Sequence, residues 1–129
     1  MKKMLPKFVT SIDIPPPAKA SRGSYLKARR AVGEDLCVVG VGGLLTPNGK
    51  TRKTVRLAYS SVAPTPVRAF EAEKVSENNR SIDELLDEAM PIVMKTVSPI
   101  SDVRGGKEYR ANLVEVLTRR LVHQLWEAA

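Results

Sequence analysis

The sequence predicts an α+β domain: an antiparallel sheet of about four strands followed by two or three helices packed on one face. Three observations predict it. Apolar residues in the first half recur at period two, those in the second half recur at helical spacing, and proline- and glycine-rich turns separate the segments. A chain of 129 residues with 43% hydrophobic residues is enough for one core, so residues 1–129 are read as a single domain.

The first expected strand runs from Lys7 to Ile14, where Phe8, Thr10, Ile12 and Ile14 share one side and Val9, Ser11 and Asp13 the other. Pro15-Pro16-Pro17 stops it, because proline donates nothing to a ladder. A second strand is expected over Gly23–Arg30, with Tyr25 and Lys27 on one face. Leu36 to Leu45 is almost continuously apolar and predicts a strand buried on both faces. Thr46-Pro47-Asn48-Gly49 fits a type I turn, and Val55, Leu57 and Tyr59 continue at period two, so these two strands read as a hairpin.

Ala63-Pro64-Thr65-Pro66 breaks the sheet, and Pro66 is placed to start a short helix through Glu73. Ser81-Ile82-Asp83-Glu84 is a capping box, followed at helical spacing by Ile82, Leu85, Leu86, Ala89, Ile92, Val93 and Val97. Pro91 is expected to kink this helix or end it early. The last helix is predicted from Lys107 to about Glu127. Its expected apolar stripe is Tyr109, Leu113, Val116, Leu117, Leu121 and Leu125, with Arg110, Arg119 and His123 largely off it.

Composition excludes several functions. Cys37 is the only cysteine, so neither an internal disulfide nor an all-cysteine metal or iron–sulfur site can be built from this chain alone. No apolar run approaches the roughly 20 residues that span a bilayer. Met1-Lys2-Lys3-Met4-Leu5-Pro6 leads into no apolar h-region, so neither membrane nor secretion is expected, and the location reads as cytoplasmic.

The net charge of +7 is uneven: residues 1–80 hold 15 Lys/Arg against 6 Asp/Glu, and residues 81–129 hold 6 against 8. Such a half is either a solvated basic surface or a face for an acidic or phosphate-rich partner. Only 5% of residues are aromatic, which leaves little stacking surface, so nucleic acid is not expected as a partner.

Taken residue by residue, no active site emerges. Gly40-Val41-Gly42-Gly43 invites a phosphate-loop reading, yet a dinucleotide fingerprint needs a helix directly after the glycines, and Leu44-Leu45 and a turn follow instead. Strand glycines that permit close packing account for them better. His123 is the only histidine, which argues against a metal site. Cys37, inside an apolar strand, reads as a small core residue. Asp83, Glu84, Asp87 and Glu88 complement a helix dipole. In Ser101-Asp102-Val103-Arg104-Gly105-Gly106, Asp102 and Arg104 could tie a loop into place, and Ser101 or Asp102 could cap something.

Four stretches nevertheless carry a resemblance. They are Phe8 to Pro15; Gly23 to Arg30 with Glu34-Asp35-Leu36; Ala63 to Ala69 with Glu71-Ala72-Glu73; and Ser98 to Arg110 with Val114 to Arg120. Together, in this order, they resemble the C-terminal domain of the FAD-binding subunit of molybdenum hydroxylases, the xanthine dehydrogenase and carbon monoxide dehydrogenase flavoprotein family.

The resemblance implies a domain that closes over the flavin ring and helps assemble an oxidoreductase complex, inactive alone, with electrons passing from iron–sulfur clusters to FAD. FAD would be shared with a chain that carries the flavin-binding domain, because nothing in residues 1–129 matches the glycine-rich loops of that upstream part. The other implied partners are an iron–sulfur subunit and a molybdopterin subunit. Three positions carry over as cofactor-binding: Lys27 near the flavin ring, Val9 packing against it, and Asp35 at an acidic position further on; no catalytic or metal-ligating residue carries over. The competing expectation is a stand-alone scaffold or protein-binding module that keeps the fold without flavin.

Overall fold

A computed structural model describes residues 8–33, 36–48, 52–77 and 81–128. Four antiparallel strands lie in sequence order: β1 (Arg22–Arg29), β2 (Cys37–Asn48), β3 (Arg52–Ser60) and the two-residue β4 (Val67–Arg68). Three α-helices follow: α1 (Phe70–Glu73), which runs on into a 3-10 turn at Lys74–Glu77, then α2 (Ile82–Thr96) and α3 (Lys107–Glu127). The α+β class and the helices laid against one sheet face are as expected.

Register assigns every strand residue to a face. Leu26 pairs with Val41 and Ala28 with Val39; Val41 pairs with Tyr59, Gly43 with Leu57 and Leu45 with Val55. These residues form the inner face, where α3 covers β2 and β1. Val39, Val41, Leu45, Leu57 and Tyr59 are buried there with Val114, Leu117, Leu121 and Leu125 of α3 and with Leu86, Met90 and Val93 of α2. A Cβ added at Gly43 would stand 2.8 Å from a Leu121 methyl and 3.0 Å from one of Leu125, so this glycine is what lets α3 lie so close.

Tyr59 reaches through the core to share a 3.0 Å hydrogen bond with Thr118, whose hydroxyl donates to the Val114 carbonyl. Burial pushes the Tyr59 phenol far above its usual range despite that bond.

Four expectations are corrected. Residues 8–14 form no strand: Phe8, Val9, Ile12 and Ile14 are 78–86% exposed, because alternation makes a strand only where a partner strand exists, and none of the described residues pairs with them. The turn expected at Thr46–Gly49 gives way to ladder, since Thr46, Pro47 and Asn48 pair with Thr54, Lys53 and Arg52; Gly49 lies outside the described residues. The helix expected from Pro66 begins only at Phe70, because Val67 and Arg68 first pair with Tyr59 and Ala58. Of the two outcomes expected at Pro91, a kink or an early end, the early end does not occur, since α2 runs on to Thr96. The proline sits on the exposed side while Leu86, Met90 and Val93 hold the other side in the core, offsetting the lost hydrogen bond.

The capping box forms as the sequence requires. The Glu84 amide donates to Ser81 Oγ at 3.4 Å, and the Ser81 amide donates to the Glu84 carboxylate at 3.2 Å.

Candidate functional site

The strand alternation that turns Leu26 and Ala28 toward the core turns Tyr25, Lys27 and Arg29 to the other side of the sheet, where none of the described helices lies. Across from them stand Gly42 and Gly40, then Ala58 and Ser60 on β3, with Arg56 and Arg68 beyond. The outer face therefore has a floor of small residues with cations along its sides.

Tyr25 lies over this floor. Its hydroxyl shares a 3.4 Å contact with Ser60 Oγ and a 3.8 Å contact with the Cys37 thiol. A Cβ at Gly40 would come within 2.2 Å of the Tyr25 hydroxyl and 2.3 Å of Ser60 Oγ, so only glycine admits this arrangement. The ring remains 54% exposed on its far side. The bond with Ser60 pulls the Tyr25 phenol down, but burial and the neighbouring thiol together outweigh it and raise its pKa. Cys37 is thus half-buried on a polar contact, not the core residue its strand suggested.

Lys27, an exposed residue opposite Gly40, sits one outward-facing position from the Tyr25 ring. Val9 is on the exposed arm at 82% exposure and is not brought onto this face by the chain's own packing. Asp35 lies outside the described residues.

The residue types on this face fit the FAD that the resemblance implies. An exposed aromatic ring beside a primary amine suits a planar, electron-accepting heterocycle.

The second built region is the loop from Ser98 to Gly106 and its anchor, Arg110. This arginine is only 2% exposed, contrary to the expectation that it lies off the buried stripe. It donates to the carbonyls of Val38 at 3.2 Å and Ser61 at 2.6 Å, and its Nη2 meets Asp102 at 2.5 Å. Ser61 is held in the left-handed region at φ 63°, a conformation this bond supports. Arg110 Nε alone is buried with no partner among the described residues.

Asp102 also accepts from the Arg104 amide at 2.8 Å and pairs with the Arg104 guanidinium at 3.1 Å. The Arg104 amide bond and the two arginines outweigh desolvation and hold the Asp102 carboxyl below its usual value. Asp102 and Gly105 exchange two 3.1 Å backbone hydrogen bonds, and Ser101 Oγ accepts from the Lys107 amide at 2.9 Å, capping α3. The loop tie expected from Asp102 and Arg104 is present, and of the two residues expected to cap, Ser101 or Asp102, it is Ser101 that takes the first amide of α3.

Sequence reading missed Arg110 and Glu73. For Arg110 a signal existed: it stands four, seven and eleven residues before Val114, Leu117 and Leu121, on the stripe that is buried. Glu73, 8% exposed, accepts from the Leu57 amide at 2.9 Å and takes a bidentate ion pair from Arg68. Nothing local announced it, because the amide it satisfies belongs to a strand sixteen residues earlier. His123 pairs with Asp83 at 3.1 Å across α2 and α3, and no metal-ligand cluster occurs among the described residues.

Comparison with known proteins identifies the family. Residues 23–125 match the family model of the CO dehydrogenase flavoprotein C-terminal domain. The carbon monoxide dehydrogenase medium chain of Afipia carboxidovorans is 32% identical over 117 residues, covering 91% of this chain and 40% of that protein. The xanthine dehydrogenase FAD-binding subunit of Escherichia coli O157:H7 is 26% identical over 123 residues, covering 95% of this chain and 42% of that protein. Among solved structures, CO dehydrogenase from Oligotropha carboxidovorans superposes with a TM-score of 0.80 at 31% identity over 90% of this chain and 40% of its own.

The chain thus spans about 40% of the length of the curated relatives it matches and is homologous to the C-terminal part of their FAD-binding subunits. A four-stranded meander closed by α3, with the motif loop tied to Arg110, carries this match over most of its length: the chain belongs to the CO dehydrogenase flavoprotein C-terminal domain family.

Proposed function

We propose that this domain completes the flavin site of a molybdenum-hydroxylase complex, covering the isoalloxazine ring with the outer face of its sheet and inactive without a chain that carries the flavin-binding domain. The observation that carries this reading is the coincidence of family membership with an uncovered sheet face on which Tyr25 and Lys27 stand side by side. Tyr25 offers a flat apolar contact and Lys27 a cation; Val9, on the exposed arm, and Asp35 are the further contacts the resemblance assigns. FAD bound against this face would supply the electron-accepting chemistry of the complex, with Lys27 and Tyr25 as the residues of this chain that would contact it. The part of this chain is to exclude water from one side of the ring and to hold positive charge near it, favouring the reduced, anionic form.

Iron–sulfur and molybdopterin subunits complete the proposed complex, in keeping with a medium-chain relative, and its seat is proposed to be the cytoplasm. No described helix is long and apolar enough to cross a membrane.

The test is to purify the tagged chain with its flavin-bearing partner from native cells and to follow flavin absorbance during reduction. Lys27→Ala should slow flavin reduction about five- to tenfold, the worth of a partly solvated charge close to the ring, while the thermal transition of the chain stays unchanged. A flavin-containing complex whose reduction ignores Lys27 would sink the assignment of this face. A chain that never associates with flavin would favour a scaffold without a redox role.

A further inference from the structure

The Ser98–Gly106 loop is fixed from below and bare above. Arg110, Asp102, Ser101 and the Asp102–Gly105 pair hold its backbone, yet Ile100, Val103 and the adjoining Tyr109 are 67%, 88% and 54% exposed. Large apolar side chains on a loop pinned by a buried arginine are not the mark of a floppy connection. Rigid presentation lowers the ordering cost of recognition, which is where preorganised surfaces gain affinity.

Cations surround these apolar groups. Arg30 Nη1 donates to the Val103 carbonyl at 3.4 Å, bringing the end of β1 alongside the loop, and Val32 just beyond it is fully exposed. Arg29 and Arg30 line one recess of about 290 Å³, and Arg104 lines another of about 360 Å³ with Ile100, Pro64 and Ser98. Lys107 opens α3 at the same end. Asp102 is neutralised by two arginines, which leaves Glu108 as the exposed acid of this region among the described residues.

We propose that this end of the molecule is a docking surface for a protein partner that presents acidic groups around an apolar anchor. An apolar centre within a charged rim is the anatomy of protein interfaces, and the 360 Å³ recess has room for an inserted side chain. Phosphate backbones would leave the apolar centre unmatched, and a fluid lipid surface has no use for a recess on a pinned loop. The surface meets the Tyr25–Lys27 face at Arg29 but is built on the Ser98–Gly106 loop, so the proposal does not rest on the flavin reading.

The experiment places a photo-reactive benzoylphenylalanine at position 103 of the full chain in its native cells, with Asn112, exposed on α3, as the control position. The expected product is a covalent adduct to one other protein, mapping to a peptide with Asp or Glu around an apolar residue. Arg30→Glu or Lys107→Glu should each cut its yield about fivefold, as rim charges act on association. With that partner purified, Val103→Asp should weaken binding about tenfold, as loss of a central apolar contact does. Far-UV circular dichroism should not change, since these side chains are exposed, and Lys27→Ala should leave the adduct intact. Adducts to nucleic acid, to lipid or to a second copy overturn the proposal. So does a yield no higher than at Asn112, a mapped peptide without acidic residues, or indifference to both charge reversals.

Discussion

The two faces of the sheet are built from the same strands and behave as opposites. The inner face stacks Val39, Val41, Leu45, Leu57 and Tyr59 against α3, all of them buried. The outer face sets Gly40, Gly42, Ala58 and Ser60 between cations and leaves them without a helix. One residue's step along a strand exchanges the two environments. Apolar area removed from water is what holds the domain together, so the inner face carries the stability. The outer face is left for contacts that lie beyond the domain.

Four substitutions or conditions test that contrast, the largest effect first. Leu121→Ala, at the centre of the inner face with no exposed surface, should destabilise by about 2–5 kcal/mol in chemical denaturation, through lost burial and the cavity left behind. A loss near zero would mean that α3 is not seated on the sheet as described.

Gly40→Val is the outer-face counterpart. The new Cβ would collide with the Tyr25 hydroxyl and Ser60 Oγ, so Tyr25 must swing off the floor, at a cost of about 1–3 kcal/mol. Nuclear magnetic resonance shifts of the Tyr25 ring should move while the Leu121 methyl shifts stay. If the inner face moved instead, the two faces would not be independent.

Acid provides the third test. Burial opposes ionisation of Glu73, but its bonds from Arg68 and from the Leu57 amide prevail and lower its pKa below the usual value of 4.5; the Asp102 carboxyl is lowered likewise. Both depressed carboxylates add stability that is complete above their unfolded pKa values and lost as pH falls through the folded ones. The thermal midpoint should therefore hold down to about pH 5 and then fall, and Glu73→Gln should flatten that fall while lowering the midpoint at pH 7.

Lys27→Ala should have the smallest effect on the isolated domain, within about 0.5 kcal/mol, as for a surface residue on a face that no core element covers. A larger loss would make Lys27 a structural residue and weaken its assignment to the flavin.

Legibility in the sequence followed the range of the interactions involved. The Ser81–Glu84 box, the α3 limits and the period-two pattern of Val55, Leu57 and Tyr59 could be read locally and were found. Lys27 could be placed on the face shared with Tyr25 from alternation alone. The Phe8–Ile14 alternation was equally clear and formed no strand, because propensity cannot supply a partner. Arg110 was misassigned for the reverse reason: a charge argues for solvent unless distant groups satisfy it. Its acceptors, Val38, Ser61 and Asp102, are scattered over most of the chain.

By itself the sequence determined the α+β class, the placing of strands before helices, the helix cap and the family, because these depend on spacing and on residues close along the chain. Only the tertiary structure decided which glycine lies under Tyr25 and which under Leu121, that Arg110 is buried beneath the motif loop, and that Glu73 completes the β3 edge. Each of these is a contact between segments far apart in sequence. Burying a polar group is tolerated only where such a contact satisfies it.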